Sequence, residues 1–377
     1  MTAGDATATV AAARSPGVAR RALVIGGTGP SGYAIVEQLL ARGDRVTIFH
    51  TGRHELEFSA PVEHLHGDPR ELDDLRRLLA GREFELTIST SGRIRHVVEV
   101  LRGRTAKLVA VSGLPYYRRS RTIATGAGAG DGAAAGQAIH QRSWLPPGTM
   151  GVPLPLRETD ARVTDPDDRY GWLVVQSEDT VMAAHARGDF DASIVRYTMV
   201  YGPHSYIPFE WYLVRRVLDG RRQIALEAGG LMVPQRGYAG NLAHAVLLCA
   251  EHPAARGQAY NVGDEQSLSL LDLTLLAGAT FGHDWDIVDV PLALSPCGNP
   301  FALRQNTLFD LGKIRHELGY RDLLPVEEAT RRTLLWLRDH PIARGAPEEA
   351  VLGARVFDYA AEDRVIARCR RLQAGQD

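Results

Sequence analysis

The stretch VIGGTGPSGY, residues 24–33, decides the fold that this sequence predicts. It ends a short apolar run and places Gly26, Gly29 and Gly32 three residues apart, just before apolar residues at helical spacing. Gly26 permits a tight turn, Gly29 lets a diphosphate approach the backbone, and Gly32 allows the helix to pack closely. The stretch therefore predicts a strand, a turn and a helix whose amino end binds a dinucleotide. The predicted contacts in this turn are Gly26, Thr28, Gly29, Pro30, Ser31 and Gly32.

Strand and helix patterns alternate along the rest of the chain. Apolar runs predict strands at 22–26, 45–50, 86–89, 108–112, 193–197 and 259–262. Helical spacing predicts helices at 33–41, 71–79, 96–101, 170–184, 211–218, 242–250, 330–339 and 356–372. This order indicates an α/β fold with a Rossmann-type, doubly wound parallel sheet and a smaller carboxy-terminal substrate lobe.

The same patterns predict how the chain is divided. We expect a disordered tail at 1–20 and a nucleotide-binding domain at 21–202, with an inserted segment at about 119–150. A substrate-binding lobe, partly interleaved with the sheet, is expected at 203–345, and a helical extension at 346–377. The insertion contains TGAGAGDGAAAGQ, residues 125–137, which is too rich in glycine to form regular structure. Both a lid over the site and a solvated insertion fit this composition.

Composition excludes several classes of function. Lys+Arg (43) nearly balances Asp+Glu (45), so no global field attracts nucleic acid or an anionic membrane, and a small molecule is the expected partner. No run approaches the roughly 18 apolar residues of a membrane span. Cys249, Cys297 and Cys369 have no paired or metal-binding spacing, which favours a reducing compartment. We expect a cytoplasmic protein with inert thiols.

The residues after the second strand bear on the choice of dinucleotide. An acidic residue there would accept hydrogen bonds from a ribose 2′-OH and repel a 2′-phosphate. FHTGRHE, residues 49–55, offers His50 and Arg53 and no carboxylate before Glu55. This favours NADP over NAD, although Arg53 also fits a solvated loop. Asp68 follows the short strand that contains His64 and His66, and it fits either an adenine contact or a turn.

A metal site is not expected from the sequence. His64 and His66 are spaced like two ligands on one face of a strand, but the sequence offers no evident third ligand nearby. A half-buried strand explains this spacing, so we expect no metal.

Several motifs together resemble the extended short-chain dehydrogenases/reductases. In order, they are VIGGTGPSGY (24–33), GDPRE (67–71), ISTSG (88–92), VAVSGLPYY (109–117), the helix at Tyr170, VRYTMVYGPH (195–204), YNVGDEQSLSLLDL (260–273) and DLGKIRHELGYRDLLPVEEATRRTLLWL (310–337). The resemblance implies a Rossmann lobe that binds NAD(P) and a second lobe that closes over substrate. It implies that Ser91 and Gly92 lie beside the nicotinamide ribose, that Met199 lies beneath the nicotinamide, and that Ser112 and Tyr170 are catalytic. It also implies a possible homodimer through the helix that contains Tyr170.

The chain departs from this family at one decisive position. The family has a lysine four residues after the tyrosine, which lowers the tyrosine pKa and binds the nicotinamide ribose, whereas this chain has Val174. A tyrosine without a nearby cation titrates near pH 10, so its phenolate is scarce at neutral pH. The chain contains only two lysines, Lys107 and Lys313, and neither is expected at the site.

Three functions remain open on this reasoning. The first is an atypical NADP(H)-dependent oxidoreductase acting on a carbonyl or hydroxyl of a small substrate, with Tyr116 a candidate replacement acid. The second is a lyase, cyclase or hydrolase on the same scaffold, and the third is a nucleotide-responsive binding protein without turnover. The arginines Arg215, Arg216, Arg221, Arg222 and Arg236 fit a site for a substrate diphosphate, and the first four fit an exposed helix surface equally well.

Overall fold

The fold is seen in a computed structural model that describes residues 19–90, 93–117, 153–291, 306–353 and 355–375. The tail to residue 18, the glycine-rich insertion, Ser91, Gly92 and Cys297 lie outside the described residues. The predictions made for them are therefore not tested by the structure.

A seven-stranded parallel sheet forms the centre of the molecule. Its strands are β1 (Arg21–Ile25), β2 (Arg45–His50), β3 (Glu63–His66), β4 (Leu86–Ser89), β5 (Lys107–Gly113), β6 (Asp191–Tyr197) and β10 (Gln258–Val262). Across the sheet their order is β3-β2-β1-β4-β5-β6-β10, and every pair is parallel. The order reverses beside β1, where a doubly wound sheet opens a crevice at the carboxyl ends of its strands. The predicted fold class is confirmed.

Helices cover both faces of this sheet. One apolar core lies against α1 (Pro30–Ala41), α6 (Ala239–Glu251) and α8 (Gly312–Leu318). The other lies against α2 (Leu72–Leu78), α3 (Ile94–Leu101) and α4 (Arg169–Ala186). Because both faces are covered, β1 is apolar from Ala22 to Ile25 and does not alternate, and every residue of β4 is buried.

A third apolar core belongs to the segments that follow β6. It packs α5 (Trp211–Leu218) against α7 (Leu270–Phe281) and α9 (Val326–Asp339). Two short parallel pairs lie in this region: β7 (Met199–Tyr201) with β9 (Arg236–Tyr238), and β8 (Gln223–Glu227) with β11 (Asp286–Val290). The last helices are α10 (Pro347–Ala350) and α11 (Tyr359–Gln373), and α11 packs on β8 and β11.

Cap residues move some helix ends away from their predicted positions. The final helix begins at Tyr359 and not near residue 356, because the Asp358 side chain accepts a hydrogen bond from the Ala361 N–H. Helix α9 begins at Val326, directly after Pro325.

The arginine cluster has a structural role that neither sequence interpretation anticipated. Arg216 is completely buried and pairs with Glu362 of α11 at 3.3 Å, and Arg215 pairs with Glu349 at 3.0 Å. Arg221 also contacts Glu362, at 3.0 Å. Of these arginines, Arg222 alone is mainly exposed. Three of the four therefore tie the carboxy-terminal helices to α5 and are not available to a ligand diphosphate.

Candidate functional site

A cleft of about 660 Å³ opens at the carboxyl edge of the parallel sheet. The ends of β1, β4, β5 and β6 form its floor, and α4 and the segment after β7 form its walls. Its walls are more apolar than polar. The residues that line it include Gly26, Gly29, Pro30, Ser31, Gly32, Arg93, Arg95, Ser112, Tyr170, Val174, Met199 and Tyr206.

The glycine turn forms one end of this cleft with the geometry that the sequence predicts. Gly26 has a φ of 92°, which favours glycine, and Gly29 is the residue before the first turn of α1. A Cβ added to Gly32 would lie 2.1 Å from the Gly26 carbonyl oxygen, so only glycine fits there. No side chain among the described residues caps the first turn of α1. Its N–H groups and helix dipole are therefore suited to bind a phosphate, and the turn fits a dinucleotide.

Tyr206 borders the same end of the cleft. Its ring lies 3.0 Å from the position that a Cβ on Gly29 would occupy. The side chain is half exposed and comes from the segment after β7. A diphosphate at the glycine turn would share this space with the Tyr206 ring. Two residues near Tyr206 in the sequence do not line the cleft: His204 packs against Tyr33 and Trp336, and Glu210 pairs with buried Arg236.

Tyr170 and Val174 both line the cleft from one face of α4. Asp168 starts this helix by accepting a hydrogen bond from the Gly171 N–H at 3.1 Å. Val174 therefore occupies the position one turn after the tyrosine, and no slip of the helical frame restores a lysine there. Ser112 lies across the cleft at the end of β5, and its buried Oγ has no hydrogen-bond partner among the described residues.

Neither lysine of the chain reaches the cleft. Lys107 begins β5, at the opposite edge of the sheet from the cleft. The Lys313 amine donates to Gln258 and to the Ala259 carbonyl, at 2.9 and 3.0 Å. Among the described residues, the basic side chains that line the cleft are Arg93 and Arg95, which sequence reasoning missed. Both are exposed at the start of α3 and follow ISTSG directly, which was the available signal.

Tyr116 and Tyr117 are held by a buried arginine. The Arg196 guanidinium lies 3.5 Å from the centre of the Tyr116 ring, donates to the Tyr117 hydroxyl at 3.0 Å, and pairs with Glu178 at 2.8 Å. Burial raises the pKa of Tyr117 well above its usual value. Tyr116 does not line the cleft in the described part of the chain. The geometry thus gives both tyrosines packing partners away from the cleft wall.

The remaining predicted cofactor residues are divided between the cleft and its surroundings. Pro30, Ser31 and Met199 line the cleft, whereas Thr28 is buried behind it. Arg53 is exposed on the loop after β2. Asp68 pairs with Arg70 at 2.8 Å, and this side-chain hydrogen bond lowers the pKa of Asp68 to about 2. The carboxylate is thus engaged by Arg70 and lies outside the cleft lining.

The expectation that His64 and His66 have no further ligand nearby is wrong. His50 and Glu55 lie beside them, and the potential ligand atoms of all four side chains are within 4.8 Å of one another. The sequence reasoning missed this because it searched along one strand. His50 ends the neighbouring strand, and its residue partner in the sheet is His66.

Comparisons with known proteins agree with this architecture. Residues 143–263 match the model of the NAD dependent epimerase/dehydratase family. A dTDP-glucose 4,6-dehydratase of Streptomyces antibioticus is 28% identical over 46% of this chain and half of its own length. A 3-beta-hydroxysteroid dehydrogenase of Mycolicibacterium neoaurum is 23% identical over 86% of this chain and 94% of its own. The dTDP-glucose 4,6-dehydratase of Bacillus anthracis in complex with NAD superposes with a TM-score of 0.62 at 15% identity, over 85% of this chain and 97% of that one.

The structure also bears on the membrane prediction. None of the helices in the described ranges combines the length and the apolar character that crossing a bilayer requires.

Proposed function

We propose that this chain is a member of the extended short-chain dehydrogenase/reductase family and acts as an NADP(H)-dependent oxidoreductase on a carbonyl or hydroxyl group of a small substrate. One observation carries the proposal. The glycine turn, the Tyr170 side chain and the Ser112 hydroxyl line a single cleft at the crevice of the sheet, and no described residue hydrogen-bonds to that hydroxyl. A ligand held at the glycine turn can thus extend toward both hydroxyl groups.

The cofactor would bind along the carboxyl edge of the sheet. The N–H groups at the start of α1 would hold its diphosphate, and Met199 would lie beneath the nicotinamide. When bound, the nicotinamide supplies or accepts the hydride.

The preference for NADP is supported by the orientation of Glu55. Its carboxylate oxygens lie 3.1 and 3.0 Å from nitrogens of His64 and His66. The first carboxylate after β2 is thus engaged by imidazoles, while exposed Arg53 remains on the same loop to attract a 2′-phosphate.

Proton transfer would depend on Tyr170 and Ser112. The Ser112 hydroxyl can donate to a substrate oxygen, which would supply a hydrogen bond that no residue in the described ranges provides to its buried Oγ. The Tyr170 hydroxyl would move the proton, with no lysine in the cleft to stabilise its phenolate. We therefore expect oxidation of a hydroxyl substrate, which needs the phenolate as its base, to become faster as the pH rises above neutrality.

The lining of the cleft favours a compact, largely apolar substrate. Ile94, Leu173, Ile207 and Phe209 add apolar walls, and Arg93 and Arg95 offer positive charge at one end. Because Arg215, Arg216, Arg221 and Arg236 are engaged in ion pairs, they give no support to a nucleotide-linked substrate.

The test begins with nucleotide binding. Energy transfer from tryptophan to the reduced nicotinamide should report tighter binding of NADPH than of NADH. Carbonyl compounds are then screened by loss of the reduced-nicotinamide absorbance, and the activity found is compared in Tyr170→Phe, Tyr116→Phe and the control Tyr238→Phe. Tyr170→Phe should lower the rate at least a hundredfold. Full activity of Tyr170→Phe would reject the assigned role.

Val174 favours a second candidate, a lyase, cyclase or hydrolase on the same scaffold. With valine at this position, the described cleft retains a nucleotide site and hydroxyl groups but not the lysine that would promote redox proton transfer through Tyr170. Product formation with no net change in nicotinamide absorbance would support this candidate. Tight nucleotide binding without any turnover would instead support a nucleotide-responsive binding protein.

Assembly and location also remain predictions. Val175 is buried and Met182 packs against the core around α3, while Leu173 lines the cleft, so much of the apolar surface of α4 is used within the chain. The homodimer and the cytoplasmic location are open to measurement by light scattering and by cell fractionation.

A further inference from the structure

Three imidazoles and one carboxylate meet at the outer edge of the sheet, away from the cleft. His50 ends β2 and is the residue partner of His66 on β3, while His64 lies two residues before His66. Residues two apart on a strand, and partners across a parallel pair, point to the same face. All three rings therefore lie on one face, and Glu55 reaches them from the loop after β2.

The ligand atoms of these side chains are close enough to share one ion. His64 Nδ1 lies 3.1 Å from His50 Nε2 and 3.1 Å from Glu55 Oε2. His66 Nε2 lies 3.0 Å from Glu55 Oε1, and His50 Nε2 lies 4.0 Å from Glu55 Oε2. Zinc bonds of about 2.0–2.1 Å place tetrahedral ligands roughly 3.3 Å apart. The observed separations lie on both sides of that value.

Hydrogen bonding alone does not satisfy this cluster well. His64 Nδ1 carries either one proton or one lone pair, yet it faces both His50 Nε2 and the Glu55 carboxylate. If Nδ1 is protonated, it must divide one proton between two acceptors. If it accepts a proton from His50, its lone pair faces the negative carboxylate. A cation at the centre would instead be attractive to all the lone pairs at once.

We infer that His50, Glu55, His64 and His66 form a binding site for a divalent transition metal, with zinc the expected ion. Imidazole nitrogens suit zinc, copper and nickel, whereas calcium and magnesium prefer all-oxygen ligands. Four protein ligands leave no open tetrahedral position, which is typical of a structural site. None of the four residues lines the cleft, so the site is separate from the proposed chemistry.

Metal binding would fix the loop that carries Arg53. His50 and Glu55 are the two ends of residues 50–55, and a shared ion would join both to β3. Ligation through His50 Nε2 moves the ring proton to Nδ1, so the long 3.4 Å contact from the Gly52 N–H to Nδ1 would be lost. Metal–ligand bonds would thus hold both ends of the loop, and its hydrogen bonding would change locally at Gly52.

The experiment uses the full chain without a histidine tag, stripped with a chelator and dialysed against zinc chloride. We expect one zinc per chain by elemental analysis, and competition with a chromogenic chelator should give its affinity. Glu55→Gln and His66→Ala should each weaken binding at least tenfold. Both side chains are about half exposed, so the variants should fold, which circular dichroism checks.

The matched controls lie in the same loop outside the cluster. Glu57→Gln and His54→Ala should bind zinc as the parent does, since neither residue belongs to the cluster. Cobalt should give the intense visible absorption of a tetrahedral site in the parent and controls, and not in Glu55→Gln. Zinc should also raise the melting temperature of the parent but not that of Glu55→Gln or His66→Ala. The inference would be overturned if the parent bound less than one zinc per chain, or if the control variants lost as much zinc affinity as Glu55→Gln and His66→Ala.

Discussion

Val174 lies one helical turn after Tyr170, and both side chains line the same cleft. A cation at position 174 would face the tyrosine hydroxyl across that turn. The valine does not supply the cationic partner at this position that would favour the ionised form of the tyrosine.

Val174→Lys is expected to restore that partner. A lysine there should lower the pKa of Tyr170 and move the rising limb of the pH-rate profile for hydroxyl oxidation to lower pH. The rate of oxidation at neutral pH should then rise about tenfold for each unit of pKa. The pKa shift can be measured without a substrate by titrating the tyrosinate absorbance. The signal of Tyr170 is the difference between Val174→Lys and the double variant that also carries Tyr170→Phe. Gln176→Lys adds the same charge to α4 away from the cleft lining and should leave the titration unchanged. A profile unmoved by Val174→Lys would show that the missing cation does not limit Tyr170.

Gly32→Ala should damage both folding and nucleotide binding. The new methyl carbon would lie 2.1 Å from the Gly26 carbonyl oxygen. Since the atoms that it would meet all belong to the backbone of Gly26 and Gly27, they have little room to move away. We expect a loss of about 2 kcal/mol or more in the free energy of unfolding, measured with urea, and at least tenfold weaker NADPH binding. Glu37→Ala lies on the same helix without such a contact and should change binding little. An unchanged NADPH affinity in Gly32→Ala would contradict the assignment of the glycine turn as the nucleotide site.

The sequence predicted features that depend on local pattern and failed where distant segments meet. The glycine turn and the Tyr170–Val174 pair follow from spacing along the chain, because each joins residues on one turn or one helix. The partners of Arg216 and His64 could not be found in this way. Glu362 lies 146 residues from Arg216, and His50 lies on another strand whose register is fixed only by the packed sheet.

Glu362→Gln should strongly destabilise the carboxy-terminal part of the molecule. The Glu362 carboxylate accepts from Arg216, from Arg221 at 3.1 Å and from the Ala225 N–H at 3.0 Å, and both Glu362 and Arg216 are fully buried. Glutamine keeps the shape but leaves a buried guanidinium without its counter-charge, at a cost of about 3 kcal/mol. Urea unfolding measures this loss.

Asp363→Asn removes an exposed partner of Arg221 on the same helix and should cost less than about 1 kcal/mol. Equal effects of the two variants would show that burial of the pair is not what matters.

Asp322 should make stability depend on pH between about pH 4 and 6. Burial and the neighbouring Asp264 raise the pKa of Asp322 to about 6, although the Glu265 N–H and the Tyr320 hydroxyl donate to it at 2.8 Å each. The unfolded chain has an aspartate pKa of about 3.9, so the folded state binds the proton more tightly. The favourable contribution of this group is complete below about pH 4 and is lost as the pH rises through 6.

Asp322→Asn cannot titrate, so its free energy of unfolding should fall less over that interval than that of the parent. Urea unfolding at a series of pH values measures the two slopes, with the exposed Asp73→Asn as the control that should keep the parent slope. Equal slopes in Asp322→Asn and the parent would mean that another group titrates in this range.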